Sequence, residues 1–124
     1  MNIIISNTSS VPLYEQIKNQ IESSILKGTI TTGEALPSIR FLAKELKVSI
    51  ITTKKAYEEL EKDGLIETIA GKGSFVANKN SSRLRELGIS KFEDNLTNAI
   101  KIAKSINLSL DECVEILKII YEED

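Results

Sequence analysis

Tyr14, Ile17, Ile21 and Ile25 follow one another at three- and four-residue steps, the spacing of one apolar face of an amphipathic helix. Pro12 suits the first turn of that helix, where its missing N–H costs nothing, and Gly28 marks its stop. Residues 29–36 read as a loop punctuated by Gly33. Behind Pro37-Ser38, with Ser38 placed to cap, Ile39, Leu42, Ala43 and Leu46 repeat at helical spacing. A third stripe, Thr53, Ala56, Tyr57 and Leu60, begins behind Ser49, whose hydroxyl can accept an orphan backbone N–H, and stops before Gly64. Two short helices joined by a tight turn, the second opening on small polar residues, predict a helix-turn-helix.

The pattern then changes period. Leu65 to Ile69 favours a strand, Ala70-Gly71-Lys72-Gly73 a turn, and Ser74-Phe75-Val76-Ala77 a returning strand. A hairpin directly after a helix-turn-helix is a wing, and Gly71 and Gly73 would let its tip approach a partner closely, with Lys72 between them. Asn78 to Ser82 is polar and reads as a linker. Beyond it Phe92, Leu96, Ala99, Ile100 and Ala103 form a helical stripe, and Gly88 is a candidate break near its start. Ser109-Leu110-Asp111-Glu112 is a capping-box sequence ahead of a last stripe, Cys113, Ile116, Leu117 and Ile120. The expected fold is mainly α with one small β-hairpin. It divides into a mobile or loosely packed leader at 1–10, a winged helix-turn-helix at 11–77, a linker at 78–82 and a two-helix tail at 83–124. Two helices bury such stripes poorly by themselves. Packing on a second copy through Leu96, Ile100, Cys113, Ile116, Leu117 and Ile120 is the economical solution, and closure of the tail on the winged helix is the alternative.

Charge sharpens this picture. The chain of 124 residues has a net charge of −2, but segments 1–35, 36–85 and 86–124 carry −1, +4 and −5. A basic middle on an acidic end suits a nucleic-acid-binding head, because local field rather than total charge attracts phosphate. No stretch is apolar enough to span a bilayer, and the first residues lack the basic and long apolar regions of a signal peptide, so a cytoplasmic protein with no membrane partner is expected. With no histidine and one cysteine, Cys113, neither a zinc site nor an intrachain disulfide is expected. Cys113 reads as a small hydrophobe ahead of a redox switch. Glu58, Glu59 and Glu61 spread around a helix surface, so catalysis is disfavoured and no cofactor is expected.

Five blocks in order carry a resemblance. Val11 to Ile17, Leu36-Pro37-Ser38-Ile39-Arg40-Phe41-Leu42-Ala43, Thr52 to Glu61, Gly64-Leu65-Ile66 and Gly71-Lys72-Gly73-Ser74-Phe75-Val76 resemble the GntR family of bacterial regulators. The short tail after Ala77 is similar to that of the YtrA-like subfamily. That resemblance implies a dimeric repressor, often of a transporter-type operon, that binds double-stranded DNA, and it implies a DNA contact for Arg40.

In a helix-turn-helix the start of the second helix enters the major groove while flanking groups bind phosphate. Candidate DNA contacts are therefore Ser38, Arg40, Ser49, Ile50, Thr52, Lys54, Gly71, Lys72 and Gly73. Thr53 should face the core. Ile50 is suited to a thymine methyl and Lys54 to guanine or phosphate. Ser38 and Ser49 are expected to be caps first, and Tyr57, Leu60 and Phe75 to be core rather than stacking platforms. A homodimer would read an inverted repeat, with or without a small-molecule effector at its interface. A winged helix used only for protein contact is the rival reading.

Overall fold

A computed structural model of the chain describes residues 1–77 and 81–123. They form two compact units, residues 1–85 and residues from 86 onward. The first holds α1 (Leu13–Leu26), α2 (Ile39–Leu46), α3 (Ile50–Lys62), β1 (Ile66–Ile69) and β2 (Gly73–Val76). The helix α4 (Ser81–Ser105) begins within it, and α5 (Leu110–Glu122) lies in the second. Among the described residues no helix is long and apolar enough to cross a membrane.

The core of the first unit sits where α1 and α2 pack on α3. Ile17, Ile21 and Ile25 from α1 meet Leu42 and Ala43 from α2 and Thr53, Ala56, Tyr57 and Leu60 from α3, all of them buried. The three- and four-residue steps of the sequence put these side chains on single faces, and their burial makes the trihelical unit cohere. Thr53 is buried as a polar residue because its hydroxyl donates to the Ser49 carbonyl at 3.2 Å. Lys18 on α1 pairs with Asp63 just beyond α3 at 3.3 Å. Burial pushes the Lys18 ammonium down, but the Asp63 hydrogen bond and charge outweigh it, so its pKa rises.

The wing pairs Ile66 with Val76 and Ile69 with Gly73 in antiparallel register. Gly73 thus belongs to the strand, and the turn is one residue shorter than its sequence suggests. Residues 29–36 are more than a loop. Ala35 bridges Phe75, the Gly33 and Leu36 N–H groups donate to the Val76 and Ser74 carbonyls, and the Val76 N–H donates to Glu34. This isolated bridge and its flanking hydrogen bonds join the segment before α2 to the wing.

Two sequence expectations need correction here. The leader is not loosely packed: the Ile4 and Ser6 N–H groups donate to Gln20 and Gln16 of α1 at 2.9 and 2.8 Å. Those amides donate back to the Ile4 and Ser6 carbonyls at 2.7 and 2.9 Å. Nor does Gly88 break the tail helix, because α4 runs through it from Ser81. Ser81 and Ser82, read as linker, are helical, and residues 78–80 of that linker lie outside the described residues.

In the second unit α5 opens with the capping box read from its sequence. Ser109 Oγ accepts the Glu112 N–H at 3.1 Å, and the Glu112 carboxylate accepts the Ser109 N–H at 3.0 Å. Hydrogen bonds from Ser109 to the carboxylate, its backbone N–H foremost and its hydroxyl second, hold the Glu112 pKa below its ordinary 4.5. A carboxyl depressed in the folded state stabilises above its unfolded pKa and loses that contribution as pH falls through the folded one. Tail helicity should therefore decline on acidification below about pH 4.5. Glu112→Ala should lose part of that acid dependence, as read from amide exchange at the start of α5; an identical acid profile in the variant would refute the assignment.

Candidate nucleic-acid interface

The reading head is assembled by two N-caps. Ser38 Oγ accepts the Phe41 N–H at 3.1 Å, and Ser49 Oγ accepts the Thr52 N–H at 2.9 Å. Each hydroxyl satisfies a donor that the first helical turn leaves unpaired, so each helix starts at a defined residue. Between them Lys47 adopts a left-handed conformation, with φ 57° and ψ 43°, closing α2. The Val48 N–H then returns to the Ala43 carbonyl at 3.0 Å. This tight reversal makes the two helices a helix-turn-helix, and Tyr57 locks it by donating from its hydroxyl to the Pro37 carbonyl at 2.7 Å.

With Thr53, Ala56, Tyr57 and Leu60 turned inward, the opposite face of α3 is left to Ile50, Ile51, Lys54, Lys55 and Glu58, all exposed. Arg40 is exposed in the first turn of α2, and Ser38 and Ser49 are exposed at the helix starts. Thr52 is only half-exposed, and its hydroxyl accepts from Ser49 Oγ at 2.7 Å. The Ser49 O–H is thus engaged within the cap, while Thr52 Oγ1 only accepts there and keeps its own O–H for a partner.

At the wing tip Lys72 is exposed and its N–H donates to the Ile69 carbonyl at 2.9 Å, closing the turn. Gly71 and Gly73 have φ of +78° and +109°, where side chains are strained, and a Cβ at either would meet nothing within 4 Å. Backbone conformation, not crowding, demands glycine here, and the bare tip leaves its main chain open to approach. Phe75 is half-buried rather than fully core, and Tyr57 and Leu60 are buried as expected.

Two outward residues of α3 were missed. Ile51 is the most exposed side chain of the first turn at 79%, against 46% for Ile50. Lys55 stands over the Tyr14 ring, its ammonium 4.2 Å from the centroid, a cation–π contact between α3 and the start of α1. Both follow by subtraction from the buried stripe, because whatever lies opposite Thr53, Ala56 and Leu60 must face out.

The tail residues come together as a second, apolar surface. Leu96, Ala99, Ile100 and Ala103 of α4 and Cys113, Ile116, Leu117 and Ile120 of α5 line, with Leu108, a hollow of about 180 Å³. All six residues expected at a dimer interface lie on it, Cys113 half-buried among them. Of the described side chains of α5 none is buried, and Ile120 is 61% exposed.

Comparison with known proteins gives this geometry a context. Residues 13–76 match the profile of the bacterial regulatory proteins of the gntR family. Over 116 residues the chain is 36% identical to the HTH-type transcriptional repressor YtrA of Bacillus subtilis (strain 168), covering 94% of this chain and 89% of that protein. A GntR family transcriptional regulator from Listeria monocytogenes has the same fold, with a TM-score of 0.78 at 28% identity and coverage of 92% and 97% of the two chains. The DNA-binding domain of AraR, solved in complex with operator ORX1, superposes with a TM-score of 0.56 at 31% identity, covering 62% of this chain and 96% of that one. A helix-turn-helix with a glycine-tipped wing, matched in profile, sequence and structure, makes this chain a DNA-binding transcription regulator of the GntR family, of its YtrA-like kind.

Proposed function

We propose that the chain works as a homodimeric repressor, pairing through its tail and placing two α3 helices on an inverted repeat. The observation that carries this reading is the tail itself: α5 has no buried side chain among its described residues, and its apolar stripe ends on a hollow lined only by apolar side chains and Cys113. Soluble proteins rarely leave so continuous an apolar face uncovered, and a copy of the same face is its simplest complement. Two heads joined this way gain affinity by linkage, and their separation sets the half-site spacing.

Within each head, Arg40, Lys54 and Lys72 supply the charge for phosphate or guanine. Ile50 supplies apolar contact, the caps of Ser38, Ser49 and Thr52 hold the helix starts, and Gly71 and Gly73 bring the wing backbone close. The name of the Bacillus subtilis relative, a repressor, supports repression as the outcome of binding. A cytoplasmic location follows from the same role.

Fluorescence anisotropy with a duplex from the chain's own upstream region, across a salt series, tests the reading. Binding should saturate, resist competitor DNA and weaken steeply with salt as phosphate contacts release counterions. Arg40→Ala should cost on the order of tenfold, the worth of one charged contact. Absence of binding even at low salt would favour a winged helix used for protein contact.

A further inference from the structure

Ile50 and Ile51 place hydrocarbon side by side at the start of α3, 46% and 79% exposed. No rotation of the helix would hide them, because Thr53, Ala56, Tyr57 and Leu60 already fill its inner face. Exposed apolar surface is unfavourable by about 25 cal/mol per Å², so a partner that covers the pair is favoured. Polar readers are scarce in the same turn: Ser49 Oγ accepts the Thr52 N–H and donates to Thr52 Oγ1, which leaves the O–H of half-exposed Thr52 as the spare hydroxyl donor. What the first turn offers a groove is two branched hydrocarbon chains, with the exposed ammonium of Lys54 one turn on.

Among the base edges of the major groove only one group is apolar, the C5 methyl of thymine. We propose that Ile50 and Ile51 form a thymine-methyl reader, with Ile51 its dominant specificity residue, and that each half-site carries adjacent thymines where α3 enters. The two side chains diverge around the helix axis and so address different base pairs, while Lys54 takes a neighbouring guanine or phosphate. This inference rests on the reading of α3 as the helix in the groove and adds the class of sequence it selects.

The test uses the full-length chain and duplexes selected with it from a random-sequence pool. In the tightest duplex each thymine of a half-site is replaced in turn by deoxyuridine, which removes the methyl and nothing else. Selection should return adjacent thymines, and the wild-type chain should lose about fourfold per contacted methyl, the fold-change for returning one such group to water. In Ile51→Ala one of those losses should shrink towards unity, and in Ile51→Val, a smaller trim that keeps binding measurable, it should be intermediate. Half-sites without thymine there, or deoxyuridine losses of equal size in wild type and both variants, would overturn the proposal. A wild-type chain that retains no duplex at low salt would instead remove the DNA-reading assignment of α3, and this inference with it.

Discussion

Ile120→Glu should sediment as a monomer at concentrations where the wild-type chain sediments as the proposed dimer, and should lose a hundredfold or more in affinity for a two-half-site duplex. Ile120 is 61% exposed and lies with Ile116, Leu117, Leu96 and Ile100 around the same apolar hollow. A carboxylate there would be carried into a dry interface without a cation to meet it, which costs several kcal/mol per buried ion by the usual reckoning. The monomer would then forfeit the gain from linking two heads, about 10² to 10⁴ for suitable geometry. Sedimentation and anisotropy on one sample separate the two steps. An unchanged dimer would move the interface off this face, and a monomer that binds like wild type would remove the link between pairing and affinity. Far-UV circular dichroism would confirm that α5 remains helical.

The second large effect concerns Tyr57, which is 3% exposed and ties α3 to the residue before the Ser38 cap. Truncation to alanine should cost about 3–5 kcal/mol, the usual range for emptying a buried aromatic site. Tyr57→Phe keeps the ring and removes only the donor to the Pro37 carbonyl, so about 1–3 kcal/mol is expected. Alkali supplies an independent signature. Burial raises the Tyr57 pKa well above its ordinary 10.0. The buried phenol keeps its proton where the unfolded chain loses it, so the stabilisation is complete below the unfolded pKa and is lost as pH rises from there towards the folded pKa. Thermal melts between neutral and alkaline pH should show a decline in wild type that is smaller in Tyr57→Phe. An equal decline in both would assign the alkaline sensitivity to other groups.

The parts of the fold that are local were legible in the sequence. Ser38, Ser49 and Ser109 announce helix starts because a cap bond spans three residues, and Ile17, Ile21 and Ile25 announce an inner face because helical spacing repeats within a few turns. The wing was legible for the same reason, apart from the residue at which its turn closes. Gly88 misled because the cost of glycine in a helix, about 1 kcal/mol, is small against the contributions of a helix of 25 residues. The bridge from Ala35 to Phe75 joins segments forty residues apart and leaves no periodic trace. The candidate site was half-legible: Ile50, Lys54 and Lys72 stand out by type and place, while Ile51 emerges only when the buried stripe is subtracted from the helix.

Gln16 and Gln20 hold the leader by its main chain alone, each amide both accepting from and donating to one residue of the extended segment. Such a grip does not care which side chains residues 4 and 6 carry, so these two exposed positions are free to drift in composition, or to be rewritten by an engineer, while the path of the leader over α1 is kept. Proline is the exception, since it brings no N–H for the glutamine oxygen to accept. Substituted at Ile4 or Ser6, it would unfasten the chain's first residues and leave the helix beneath them intact.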